Sequence, residues 1–197
     1  MPRRQPALPE IWPKVWPKVW PKVWPKIWVV SDRRNDAALE LILRRLPRGS
    51  GLIYRHYHLA PAERRARFAI LAALARRRGH LVALAGGPRK ARRWRADASY
   101  GAPARGPGLR LVTAHSLREI ARARAARRAG SAAIVLSPVF ATRSHPGARP
   151  LGPLRFRLLA RRSGLPVIAL GGMTASRARR VGAARWAAID GLNPKDS

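Results

Sequence analysis

Cysteine is absent from the 197-residue chain, and this excludes disulfide bonds, thiolate metal sites and cysteine nucleophiles. A cysteine-free composition is typical of a cytoplasmic protein, and we expect that location. No apolar stretch reaches the ~20 residues of a membrane span, and prolines and lysines interrupt every apolar run before Ile27. We therefore expect neither an export signal nor a membrane partner.

Acidic residues are scarce: nine Asp and Glu stand against 41 Lys and Arg, for a net charge of +32. Such a charge favours polyanion binding, because basic side chains release counterions from nucleic acids. The basic pairs, however, recur in almost every predicted helix, from Arg44-Arg45 to Arg179-Arg180, instead of concentrating in one groove. We expect no specific nucleic-acid partner, and a nonspecific basic nucleic-acid-binding protein remains the alternative from another class.

Residues 12–28 read WPKVWPKVWPKVWPKIW, a repeat whose prolines forbid a continuous helix and favour extended geometry. The repeat looks like a tandem duplication of the lead-in to the first strand. We predict a disordered low-complexity arm over 1–26 that is dispensable for folding, and a short tail over 193–197. A cationic, tryptophan-rich arm that contacts a membrane surface or single-stranded nucleic acid is the alternative.

Beyond the arm, short apolar runs alternate with helical patterns, which is typical of βα units and a parallel sheet. The pattern predicts a small α/β domain over 27–192, a (β/α)8 TIM barrel that lacks the final helix, with a doubly wound open sheet as the alternative. The predicted strands are 27–31, 51–55, 80–84, 96–100, 109–113, 132–137, 165–170 and 185–190. The predicted helices are 36–46, 61–78, 88–95, 116–129, 153–163 and 174–182, and a loop is expected at 101–108.

Ligands of such barrels bind at the carboxyl ends of the strands, and phosphate is often held after strands seven and eight. The matching segment is 169–174, ALGGMT, in which Gly171 and Gly172 let backbone N–H groups approach an anion before a helix capped by Thr174. A tight turn without a ligand is the alternative. The long loop at 137–152 is the candidate lid.

Two of these segments carry a family resemblance. The run SPVFATRSHPGARPLG at 137–152 and the run LPVIALGGMT at 165–174 resemble the thiamine phosphate synthase/TenI family in order and spacing. The resemblance implies a (β/α)8 barrel in thiamine metabolism that takes small phosphorylated substrates. Synthases of the family couple hydroxymethylpyrimidine diphosphate to thiazole phosphate with Mg²⁺, whereas TenI members aromatise the thiazole phosphate.

The resemblance also implies roles for residues at matching positions. It assigns catalytic roles to Arg55 and His145, the latter where synthases carry a lysine. The substrate and phosphate contacts that it implies are Thr113 and His115 beside the pyrimidine, Ser137, Thr142 and Ser144 at the diphosphate, and Gly171 and Gly172 at the thiazole phosphate.

Departures from the family pattern concern the metal. Ala85-Gly86 stands where synthases carry an Asn-Asp pair, and no acidic residue follows strand four. The Mg²⁺ ligands of the family are therefore missing, and the cofactor is left unassigned. We expect the arginines and His145 to stabilise the diphosphate in a weak, metal-independent synthase. If a metal is retained, Asp32 or Asp190 is the expected ligand. The alternative is a TenI-like or degenerate protein that binds thiazole phosphate without coupling it, although the TenI catalytic histidine position is Pro138. The oligomeric state is left open.

Overall fold

The structure is a computed structural model that describes residues 24–103, 108–125, 133–143, 147 and 149–192. Eight parallel strands form a closed barrel in chain order, so the predicted (β/α)8 class is confirmed and the open sheet is wrong. The strands are β1 Ile27–Val30, β2 Gly51–Tyr54, β3 Leu81–Ala85, β4 Ala98–Gly101, β5 Leu109–Ala114, β6 Ala133–Leu136, β7 Val167–Leu170 and β8 Trp186–Ala188. Pairing of β1 with β8 closes the barrel.

Helices cover the outside of the barrel. In the described residues they are α1 Leu39–Arg45, α2 Pro61–Arg77, α3 Pro88–Arg93, α4 Leu117–Ala125, α5 Gly152–Arg162 and α6 Ala175–Val181. The predicted helix at 36–46 starts instead as a 3-10 helix, Arg33–Ala38, because Asp32 caps the chain early by accepting the Arg34 N–H. The described residues between β4 and β5 contain no helix, and the expected absence of a helix after β8 falls mainly on 193–197, outside the described residues.

Residues along each strand alternate between the barrel interior and the helix layer. In β1, Trp28 and Val30 join the interior cluster, whereas Val29 packs beneath the helices. Trp28 is fully buried, and its indole lies against Gly51, its partner in the register between β1 and β2. The wide indole fits in the barrel because its neighbour has no side chain.

A buried amide joins the first and last strands at the carboxyl end of the barrel. The Asn35 side chain donates hydrogen bonds to the carbonyls of Val30 at 3.0 Å and Ile189 at 2.8 Å. Its Oδ1 accepts the Asp32 N–H at 2.9 Å, which completes a capping box at the start of the 3-10 helix. One side chain therefore both starts a helix and fixes the closure of the barrel next to the expected ligand site.

The buried core begins before Ile27. Trp24 is only 8% exposed and belongs to the interior cluster, and the Trp28 indole N–H donates to the Pro25 carbonyl at 3.0 Å. This burial does not fit the expectation that the whole arm up to residue 26 is dispensable. Residues 1–23, which hold the rest of the predicted arm, lie outside the described residues.

Arg64 departs from the periodicity of α2, which predicts that it lies mostly away from the core. The residue is 6% exposed, and its guanidinium donates to the carbonyls of Arg55 at 2.7 Å and Ala85 at 2.9 Å. It therefore links the carboxyl ends of β2 and β3. Among the described residues, no helix has the length and apolar character needed to cross a membrane.

Candidate active site

A cavity of about 700 Å³ opens at the carboxyl end of the barrel. Its walls come from the ends of β2 and β4 and from the segments that follow β5, β6, β7 and β8. This is the end at which barrels of this class bind their ligands. The volume lies within the range of about 300–1,000 Å³ that is usual for small-molecule sites.

The glycine pair after β7 lies directly under the loop that follows β6. The N–H groups of Val139 and Phe140 donate to the carbonyls of Leu170 at 2.9 Å and Gly171 at 3.0 Å. Gly171 and Gly172 have φ values of 98° and 58°, and a Cβ on them would lie 2.7 Å from Pro138 Cα and 2.6 Å from Ala141 O, respectively. The pair is therefore required for loop packing, whether or not its N–H groups also bind an anion.

Positive charge dominates the cavity wall. Four arginines line it, Arg55, Arg143, Arg149 and Arg177, whereas Asp190 is the only carboxylate among the described lining residues. With His115 neutral, the formal charge of the described wall is four minus one, or +3. Such an excess of guanidinium groups favours a ligand with more than one anionic group, since each group can take bidentate hydrogen bonds.

Two of these charged groups are held by local contacts. Arg177 donates from Nη1 to the Gly172 carbonyl at 2.6 Å and stacks over the Phe140 ring, with 5.1 Å between the guanidinium carbon and the ring centroid. Asp190 lies 3.5 Å from Arg143 Nη2 and also 3.5 Å from Arg34 Nη1. The carboxylate therefore faces two guanidinium groups before any ligand is considered.

His115 is oriented by contacts on two sides. Its Nδ1 bonds to the Ser137 carbonyl, and its backbone N–H donates to Glu119 Oε2 at 2.5 Å. A carbonyl can only accept, so Nδ1 carries the proton of this hydrogen bond. The same glutamate is held at the start of α4, because Ser116 Oγ accepts the Glu119 N–H.

Tyr100 supplies a neutral hydroxyl at the end of β4. Its side chain lines the cavity although the residue is 9% exposed. Burial raises the pKa of the Tyr100 phenol, although the positive charge of Arg55 opposes the shift. The hydroxyl therefore stays protonated at neutral pH and can donate a hydrogen bond to a ligand.

The cavity brings together most of the site residues predicted from the sequence. Those that line it are Arg55, His115, Ser137, Thr142, Gly171 and Gly172. Thr113 is half-buried on β5 and is not a lining residue. Ser144 and His145 lie outside the described residues, so their predicted roles stay predictions.

Among the polar lining residues, Tyr100 and Arg177 were not predicted from the sequence. Tyr100 ends a strand whose pattern is weak, so its direction could not be read from alternation. Arg177 had a local signal, because it is the third residue after the N-cap Thr174, and side chains at that position reach back toward the turn.

Part of the chain is similar in sequence to known proteins. The family model described as thiamine monophosphate synthase matches residues 106–192. The curated "Putative thiamine-phosphate synthase 2" of Aquifex aeolicus is 42% identical over 62 residues, which are 32% of this chain and 32% of that protein. The resemblance to the thiamine phosphate synthase/TenI family is confirmed. The chain thus spans about a third of the length of the curated relative that it matches.

Solved structures share the barrel fold over most of the chain. A thiamine phosphate pyrophosphorylase from Pyrococcus furiosus superposes with a TM-score of 0.67 at 23% identity, covering 84% of this chain and 85% of that one. A 3-hexulose-6-phosphate synthase superposes with a TM-score of 0.57 at 13% identity, covering 83% and 89%. Because these names differ, the shared barrel establishes architecture and leaves the reaction to the site.

The described residues do not fit the Mg²⁺ site that the family implies. Mg²⁺ takes oxygen ligands, usually one or two carboxylates with substrate phosphates. Ala85 and Gly86 at the end of β3 offer no side-chain ligand. Asp190, the single carboxylate of the described wall, already faces Arg34 and Arg143. The described wall therefore lacks the carboxylates that such a metal site needs.

Proposed function

We propose that this barrel is a thiamine phosphate synthase that couples hydroxymethylpyrimidine diphosphate to thiazole phosphate and releases diphosphate. The observation that carries the proposal is the arginine-rich cavity at the carboxyl end of a barrel whose 106–192 region matches the family model. The substrates together carry a diphosphate and a phosphate, and the formal charge of +3 on the described wall suits such a pair.

The thiazole phosphate is assigned to the turn after β7. Gly171 and Gly172 leave the backbone accessible there, and Arg177 is fixed beside them by its bond to the Gly172 carbonyl. Phosphate sites after strands seven and eight are common in such barrels. Arg177 thus adds a positioned charge to the backbone donors.

The pyrimidine diphosphate is assigned to the other polar residues of the cavity wall. Its diphosphate oxygens are assigned to Arg55, Arg143 and Arg149 and to the Thr142 hydroxyl, which all line the cavity. His115 and Ser137 border the pyrimidine, and the His115 ring is oriented by its bond to the Ser137 carbonyl. Ser144 and His145 keep the diphosphate roles predicted for them.

Coupling forms a bond from the thiazole nitrogen to the methylene carbon of the pyrimidine, while the bond from that carbon to the diphosphate oxygen breaks. The electron pair of the broken bond leaves with the diphosphate, so negative charge grows on its oxygens. Fixed guanidinium groups stabilise that charge as it develops, and this is the contribution that we assign to Arg55.

The test measures thiamine phosphate formation from the two substrates, with and without Mg²⁺. We expect slow, metal-independent turnover that falls by about tenfold to a hundredfold in Arg55→Gln, because one preformed charge is lost at the leaving group. Arg161→Gln on α5, an exposed arginine outside the cavity wall, is the matched control and should keep full activity. Activity that requires Mg²⁺, or an unchanged Arg55→Gln variant, would contradict this assignment.

A second candidate function is binding of thiazole phosphate without coupling. The cavity wall favours this candidate because the turn after β7 has the groups assigned to a phosphate, whereas the ends of β3 and β4 lack carboxylates. Calorimetric binding of thiazole phosphate without product formation would favour this candidate. Salt-resistant binding of a defined oligonucleotide would instead favour a nucleic-acid role for the basic surface.

A further inference from the structure

A second group of polar side chains lies after β1 and β2, outside the cavity wall. It consists of Asp36 in the 3-10 helix and His56 and His58 in the segment that follows β2, and we call it the histidine–aspartate cluster. Each residue offers one ligand atom, and these atoms lie within 4.8 Å of one another. None of the three lines the cavity assigned to the substrates, so the proposed function does not explain the cluster.

His56 is the buried member of the cluster. The residue is 1% exposed, and its Nε2 lies 2.9 Å from Asp36 Oδ1. Even so, the contact between Nε2 and the carboxylate does not have hydrogen-bond geometry, and no other described residue supplies a hydrogen-bond partner for this nitrogen. A buried nitrogen in this situation needs a partner, and a cation shared with the carboxylate would provide one.

The other side of the imidazole is held in place. His56 Nδ1 lies 2.7 Å from Ser31 Oγ, which also accepts the Arg55 N–H at 2.7 Å. A proton on Nδ1 that is donated to Ser31 leaves the Nε2 lone pair free for a ligand, as in metal-bound histidines that donate their second ring N–H. The ring also stacks on Tyr54, with centroids 4.7 Å apart. His56 has a φ of 39°, a costly conformation for this residue type that the surrounding contacts maintain.

The side chains that contact one another around Asp36 carry more negative than positive charge, which favours binding of a cation. Arg67 donates from Nε to Asp36 Oδ1 at 2.9 Å and from Nη1 to Glu40 Oε1 at 2.7 Å. Two carboxylates thus oppose one guanidinium, and within the described residues the side-chain contacts of Asp36 fall on Oδ1 and leave Oδ2 available.

We propose that Asp36, His56 and His58 bind a divalent transition-metal ion of the zinc type. Two imidazole nitrogens with one carboxylate oxygen suit Zn²⁺ and its neighbours, whereas Mg²⁺ and Ca²⁺ prefer sites made of oxygen alone. Three protein ligands leave a coordination position for water beside the exposed His58. The bound ion would tie the segment after β1 to the segment after β2.

The test titrates the untagged full-length protein with Zn²⁺ by calorimetry, and with Co²⁺ by visible absorption. We expect one ion per chain, ligand-field absorption of bound Co²⁺, and a rise in the melting temperature with Zn²⁺. His58→Ala should weaken binding at least about tenfold, since it removes a direct ligand, and Asp36→Asn should do the same. His115→Ala, which removes an exposed histidine elsewhere, is the matched control and should bind like the parent.

Because His58 is exposed, its variant should fold, so it decides the question even if Asp36→Asn does not fold. Substoichiometric binding by the parent protein would overturn the proposal. Parent-like affinity in His58→Ala would also overturn it, and the contact between Asp36 and His56 would then be only an ion pair within the fold.

Discussion

The contact between Trp28 and Gly51 makes the barrel interior sensitive to a single methyl group. A Cβ on Gly51 would lie 2.1 Å from Trp28 Cε3 and 2.2 Å from Cδ2, well inside van der Waals contact. Trp28 is fully buried among interior side chains, so the indole has no open space into which it could move. Gly51 does not require a left-handed backbone, so a Gly51→Ala change isolates the steric effect.

We expect Gly51→Ala to destabilise the protein by about 2 kcal/mol. Overpacking of a core typically lowers the free energy of unfolding by about 1–3 kcal/mol. Replacing glycine by alanine raises it by about 0.4–1 kcal/mol, because alanine restricts the unfolded chain. For a chain of this size, the melting temperature should fall by about 4–8 °C. Urea unfolding monitored by circular dichroism measures the change in the free energy of unfolding.

Two further variants separate the clash from other effects. Gly87→Ala places its Cβ where nothing lies within 4 Å, so this control should change the free energy of unfolding by less than about 0.5 kcal/mol. In a Trp28→Leu background the cost of Gly51→Ala should nearly vanish, because the clashing ring atoms are gone. A Gly51→Ala protein as stable as its parent would refute this account of the barrel interior.

Two other predictions concern stability. Trp24→Ala should lower the free energy of unfolding by about 3 kcal/mol in urea titrations, because the 8%-exposed indole leaves a cavity in the interior cluster; an unchanged value would restore the view that the arm is dispensable up to Ile27. Burial lowers the pKa of His80 from its usual value of 6.5. The contribution of His80 to stability is therefore complete above pH 6.5, and it is lost as the pH falls below 6.5 toward the lower pKa of the folded state. The urea concentration at the unfolding midpoint should therefore decrease as the pH is lowered from about 7.5 to about 5.5. The decrease should be smaller in His80→Gln, where the remaining slope comes from His56, whose pKa is also lowered by burial. Equal slopes in parent and variant would contradict the role of His80.

The cavity was predictable in outline because its main elements depend on local sequence. The Gly171-Gly172 pair directly follows an apolar run and precedes a helix with a hydroxyl cap, so its place at a strand end follows from neighbouring residues. The position of Arg55 was predictable in the same way, because it directly follows the apolar run that forms β2. The absence of carboxylates at the end of β3 was also predictable, because Ala85 and Gly86 stand at the end of that apolar run in the sequence.

What the sequence determined by itself is therefore the order of the strands and helices and the chemistry at the strand ends, because apolar periodicity and turn residues act between near neighbours in the chain. Only the tertiary structure decided which distant groups meet. Asn35 bonds to Ile189, 154 residues away, because the barrel closes. Asp36 meets His56 for a related reason: adjacent parallel strands bring their following loops together. Burial of Arg64 likewise depends on carbonyls at the ends of β2 and β3, which no periodicity in α2 encodes.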